Sequence, residues 1–87
     1  MIVGFKRGFD KRTRRLPHPI RKALADRLRI FVESPHHPLL NNHALSGKLR
    51  GYRSINITGD WRVIYQPIGT DAALLVDADT HHNLYGT

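Results

Sequence analysis

The stretch Tyr52-Arg53-Ser54-Ile55-Asn56-Ile57-Thr58-Gly59-Asp60-Trp61-Arg62-Val63-Ile64-Tyr65-Gln66 decides how the chain folds. Residues 52–57 and 61–66 are rich in β-branched and aromatic side chains, as strands are. Thr58-Gly59-Asp60 between them is a hairpin turn signal. After a second turn at residues 67–71, residues 72–78 read as a further strand whose apolar run is partly buried on both faces. Strands joined by hairpins pair antiparallel, and such a sheet cannot cover its own apolar face.

The cover lies upstream, in a helix predicted over residues 19–33. Pro19 suits a first helical position, where its missing N–H is not needed. Ile20, Leu24, Leu28 and Phe31 follow at helical spacing, with Ala23 and Val32 alongside, and make one apolar face. Arg21, Lys22, Asp26 and Arg29 fall mainly on the other side. Ser34-Pro35 ends the helix, because a residue before proline disfavours the α region.

Ahead of it, Phe9 and Leu16 stand among Lys6, Arg7, Lys11, Arg12, Arg14 and Arg15, a short helix or basic turn. Met1 to Phe5 is a β-prone first strand. Residues 34–51 read as a loop, and residues 79–87 as a tail too short for a substantial element.

The expectation is one α+β domain over residues 1–87. Two N-terminal helices pack on one face of a mainly antiparallel four-stranded sheet, in the order β-α-α-β-β-β. Its core should contain Ile20, Leu24, Leu28, Phe31, Ile55, Ile64, Leu74 and Val76. Val63 and Tyr65 lie on the opposite side of their strand from Ile64, and alternation alone does not choose between the two.

Eighty-seven residues allow one domain. The absence of cysteine excludes disulfides, thiolate metal sites and cysteine nucleophiles. No apolar run approaches the ~20 residues needed to span a bilayer, and no signal-peptide pattern follows the basic N-terminus. A cytoplasmic protein without membrane contact is expected. Fourteen Lys and Arg against seven Asp and Glu give a net charge of +7. The charge is clustered: residues 1–30 hold ten basic and two acidic side chains, and the rest of the chain is close to balanced. Such a patch suits a polyanion.

Candidate chemistry lies after residue 42. His43 precedes Leu45 and Gly47; Asp60 and Trp61 sit at the hairpin; His81, His82 and Tyr85 are in the tail. Lys48, Arg50, Arg53 and Arg62 are interspersed. Cutting RNA without metal needs a base for the 2′-OH, an acid for the leaving 5′-oxygen and cations for the phosphate. Histidine, with a free pKa of about 6.5, serves as either acid or base near neutrality. Aromatic faces hold splayed bases, although Trp61 and Tyr85 also suit a small core. No metal or other cofactor is expected: His36-His37 and His81-His82 are adjacent pairs that point apart on extended backbone.

Three motifs carry a resemblance: His43-Ala44-Leu45-Ser46-Gly47, then Gly59-Asp60-Trp61-Arg62-Val63-Ile64-Tyr65, then Thr80-His81-His82-Asn83-Leu84-Tyr85. Together they resemble the RelE/ParE toxin superfamily, and within it the YafQ-like branch of RelE/StbE mRNA interferases. The resemblance implies a type II toxin that cuts mRNA on the ribosome and is neutralised by a cognate antitoxin. It implies catalytic roles for His43, Asp60 and His81, with His81 the general acid and His43 or Asp60 the base.

The same resemblance gives Tyr85 a place in holding substrate and sets Trp61 beside Asp60. Contacts to RNA are expected from Lys11, Arg14, Arg15, Lys48, Arg50, Arg53, Trp61, Arg62 and Tyr85. The free toxin is expected to be a monomer. Two positions depart from the pattern: Asn56 replaces a histidine, and Asp77 replaces a basic residue. The alternative within the superfamily is a ParE-like toxin that inhibits DNA gyrase by binding alone.

Overall fold

The computed structural model describes residues 1–86 of the chain; Thr87, the last residue of the expected domain and tail, lies outside the described residues. The order is β1 (Ile2–Phe5), α1 (Phe9–Arg14), α2 (His18–Glu33), β2 (His43–Ala44), β3 (Arg53–Thr58), β4 (Trp61–Ile68), β5 (Ala72–Thr80) and α3 (His81–Tyr85). The sheet runs β1-β5-β4-β3-β2. β1 is parallel to β5, and every other pair is antiparallel.

The α+β architecture is as expected, but the sheet has five strands rather than four. The extra strand, β2, consists of His43 and Ala44 paired with Ser54 and Arg53. Two residues are too few for an alternating pattern to show. The tail likewise forms α3. Thr80 caps it by accepting from the Asn83 N–H at 3.2 Å, and Gly86 closes it at φ +74°. A Thr cap and a terminal glycine are ordinary helix boundaries, here enclosing a single turn.

α2 lies across β3, with Arg27 Nε donating to the Ile57 carbonyl at 2.8 Å. Phe31, Leu40, Ile55, Ile57, Val63 and Leu75 are fully buried between the helices and the sheet, with Leu24 and Phe9 close to it. The Phe31 and Tyr65 rings meet edge to face at 4.8 Å. Ile20 and Leu28 pack at the margin.

Ile64 is buried as expected, and of the two sides of its strand it is the Val63 and Tyr65 side that faces the helices, with Ile64 outside that cluster. One core expectation is corrected. On β5 the inner places belong to Ala73, Leu75 and Ala78, and Leu74 and Val76 are only half-buried. The reason is a bulge. Ile64 pairs with Asp77 but Tyr65 pairs with Leu75, so Val76 is an extra residue. One inserted residue switches which side chains face inward.

β1 covers the outer edge of β5 at residues 72–75. Beyond that point α1 takes over. Arg12 Nε donates to Asp77 Oδ1 at 3.1 Å and to the Ala78 carbonyl at 3.3 Å, and its Nη2 pairs with Asp79 Oδ2. The Ala78 and Thr80 N–H groups donate to the Asp77 and Asp79 carboxylates at 2.8 and 2.7 Å. The strand edge thus keeps its backbone partners after β1 ends.

Candidate functional site

α3 sits on the sheet face opposite α1 and α2. Ser54 alternates with Ile55, so its side chain faces away from the helices, and there the Tyr85 hydroxyl donates to its Oγ at 2.9 Å. Between α3 and the segment after β2 lies an open cleft of about 720 Å3. Its lining is His43, Ala44, Leu45, Ser46, Lys48 and Leu49 on one side and His81, Leu84 and Tyr85 on the other.

His43 is exposed, and its Nδ1 lies 2.8 Å from the Asn41 carbonyl. A carbonyl only accepts, so Nδ1 carries a proton and the neutral ring keeps its lone pair on Nε2. Asn42 fixes the approach to β2. Its Nδ2 donates to the Pro35 carbonyl and the Tyr65 hydroxyl, and its Oδ1 accepts from Arg53 Nε, each at 2.8 Å. Gly47 then turns the chain at φ +63°, in the left-handed region that favours glycine. The short 3-10 turn that follows, Gly47–Leu49, presents Lys48 to the cleft.

Across the cleft, the His81 N–H donates to the Asp60 carbonyl at 2.8 Å. The His81 ring meets Tyr85 edge to face at 4.6 Å. Because the Tyr85 hydroxyl is tied to Ser54, its ring is a fixed support for the imidazole. Asp79 anchors the same turn. Its Oδ1 accepts from Asn83 Nδ2 at 2.9 Å as well as from Thr80 N–H. Burial acts to raise the Asp79 pKa, but these hydrogen bonds and the Arg12 charge outweigh it, leaving the carboxyl below its ordinary value.

The structure brings His43, His81, Lys48 and Tyr85 together at one cleft. Asp60 contributes its carbonyl, while its exposed side chain is not part of the lining. Trp61 is half-buried and packs against the core. Arg62 Nη1 donates to the Gly59 and Trp61 carbonyls at 2.7 and 3.0 Å, bracing the hairpin turn. Arg53 is held by Asn42 on the helix side of the sheet.

Arg50 and His82 are exposed and outside the cleft lining. Lys11 and Arg15 are exposed on the first helix and just after it, and Arg14 there pairs with Asp10 at 2.9 Å. Among the described residues, no group of three or more His, Cys, Asp or Glu could hold a metal ion. Among them, too, no helix is long and apolar enough to cross a membrane.

Sequence reasoning missed Ser54, Asn42 and Asp79, and the walls Leu49 and Leu84. Ser54 had a signal, a small polar residue among β-branched neighbours on a buried strand. Asn42 had none, because Arg53 and Tyr65 are distant in sequence, and for Asp79 it is the Arg12 counter-charge that lies far away, on α1.

By sequence, no family model and no curated protein matches the chain. Solved structures do. YafQ from E. coli strain BL21(DE3) superposes with a TM-score of 0.79 at 18% identity, covering 97% of each chain. A chain of the RelB-RelE antitoxin-toxin complex from Methanococcus jannaschii gives 0.75 at 21% identity over 97% of this chain and 96% of that one. The YoeB/ParE toxin from Agrobacterium tumefaciens gives 0.75 at 20% identity over 93% of this chain and 99% of that one. Likeness at such identities is a likeness of backbone, and on that ground the chain has the fold of the RelE/ParE toxin superfamily.

Proposed function

We propose that this protein is the toxin of a type II toxin–antitoxin pair. In this reading it is a ribosome-dependent, metal-independent endoribonuclease that cleaves mRNA during translation. It is cytoplasmic, monomeric when free and silenced by a cognate antitoxin. The observation that carries the reading is the pair of imidazoles lining one open cleft, His43 and His81, with Lys48 on the His43 wall. The shared fold with YafQ and RelE-type toxins supports it.

The chemistry needs only these groups and the RNA. His43 Nε2, left as the lone-pair nitrogen by the Asn41 contact, takes the proton of the 2′-OH. The 2′-oxygen forms a bond to phosphorus as the bond to the 5′-oxygen breaks, and His81 in its protonated form gives its proton to that oxygen. The base role goes to His43 rather than Asp60 because the His43 side chain lines the cleft and the Asp60 carboxylate does not. Lys48 balances charge building on the phosphate. Tyr85 supports His81 and offers an edge to a base. The exposed cations Lys11 and Arg15 suit ribosomal RNA.

Primer extension on translated mRNA after induction tests the proposal. Cuts within codons are expected. Intact mRNA together with DNA damage would overturn it in favour of a gyrase-binding toxin.

A further inference from the structure

Asp79 is 8% exposed, one of the two polar residues buried among those described. Burying a carboxylate is expensive unless its partners are in place. Among the described residues, the partners of the Asp79 side chain lie on α1 and in the first turn of α3 rather than in the cleft lining. Oδ1 receives the Thr80 N–H and the Asn83 side chain; Oδ2 faces the Arg12 guanidinium of α1. Thr80 Oγ1 also receives the Asn83 N–H. Asn83, just after His81 and His82, is thus tied by main chain and side chain to Thr80 and Asp79, just before them.

α3 has five residues, far below the ~12–15 at which a helix begins to sustain itself in water. Its geometry must be imposed from outside. The Asp60 carbonyl holds the His81 N–H, and Ser54 holds the far end through Tyr85. At the first turn, Asp79 adds a further support. Its carboxylate does not line the cleft, so it acts only through what it holds.

We propose that Asp79 is a positioning residue for His81. Through Thr80 and Asn83 it fixes the first turn of α3, and so the place of the imidazole, while Arg12 supplies the counter-charge from α1. The proposal rests on the reading of His81 as the proton donor.

The test compares Asp79→Ala, Asp79→Asn and Asn83→Ala in cleavage of ribosome-bound mRNA. Misplacing a reacting group by about 1 Å loses about 100-fold in rate. Asp79→Ala and Asn83→Ala are expected to lower kcat by up to that factor with KM unchanged. Asp79→Asn, which keeps an oxygen for Thr80 and Asn83, is expected to recover most of the loss. The double variant Asp79→Ala with Asn83→Ala is expected to be no slower than the slower single variant. A rise in KM with unchanged kcat would overturn the proposal.

The His81 ring resonances and the α3 amide exchange are followed by NMR in the same proteins. Both are expected to change in Asn83→Ala, whose exposed site spares the core if Asp79→Ala fails to fold. Unchanged His81 resonances would overturn the proposal. This readout stands even if the wild-type protein leaves mRNA intact, an outcome that removes the nuclease reading alone.

Discussion

Toward α1 and α2 the sheet presents Ile55, Ile57, Val63, Tyr65 and Leu75, closed over by Phe31, Leu24 and Phe9. On the reverse, α3 meets the sheet through a hydroxyl pair at Ser54, a carbonyl at Asp60 and a buried carboxylate at Asp79. The first face is held by apolar area, which is non-directional and tolerates adjustment. The second is held by hydrogen bonds, which fix distance and angle. His81, the proton donor of the proposed reaction, is mounted on the second. Stability and geometry are therefore supplied by different sides of one sheet.

Substitutions can separate the two sides. His81→Ala should reduce cleavage of ribosome-bound mRNA by ~100- to ~10,000-fold, the usual range for a general acid. Its melting temperature and antitoxin binding should stay those of the parent. His82→Ala, exposed and outside the cleft lining, should cleave nearly as well as wild type. Full activity in His81→Ala would remove the acid assignment. Full activity after replacing His43, Asp60 and His81 together would remove the nuclease site.

On the apolar face, Phe31→Ala should lower unfolding free energy by about 3–5 kcal/mol, read from denaturant melts. The kcat of the fraction that remains folded should be unaffected. A change confined to kcat would show that the two faces are not separable.

The smallest effects belong to the cationic surface. Lys11→Ala, Arg14→Ala or Arg15→Ala should each reduce the slope of log affinity for ribosomes against log salt by about one, if each contacts one phosphate. The four-residue separation of Asp10 and Arg14 in their exposed ion pair makes Arg14 the weakest of the three. Binding indifferent to salt between ~50 and ~200 mM would remove the electrostatic account.

The apolar side was legible because its information is local. Leu24 and Phe31 stand at helical spacing, and Thr58-Gly59-Asp60 announces the turn; Gly59 indeed occupies φ +50° in a two-residue loop between the paired Thr58 and Trp61. The inward face of β5 was not legible, because nothing in Leu74-Leu75-Val76 marks Val76 as the inserted residue until Tyr65 and Ile64 are laid beside it. The candidate site divides the same way. His43 and His81 could be singled out by chemistry and motif. That the Asp60 carboxylate and Arg53 stand outside the cleft depends on which way a turn and a strand face. Asp77, at a position where the resembling motif has a basic residue, binds the Arg12 side chain from another element.

The parallel pairing of β1 with β5 has a consequence for the order in which the molecule can be assembled. Ile2 is matched with Ala72, 70 positions along the chain. The strands β3, β4 and β5 follow one another through short turns, so each finds its neighbour by closing a small loop. β1 closes a loop roughly an order of magnitude longer, and the entropy of closure rises with the logarithm of that length. β1 is synthesised before β5 and must therefore wait for it: until Ala72 to Leu75 exist as a strand, Ile2 to Phe5 have no edge to join.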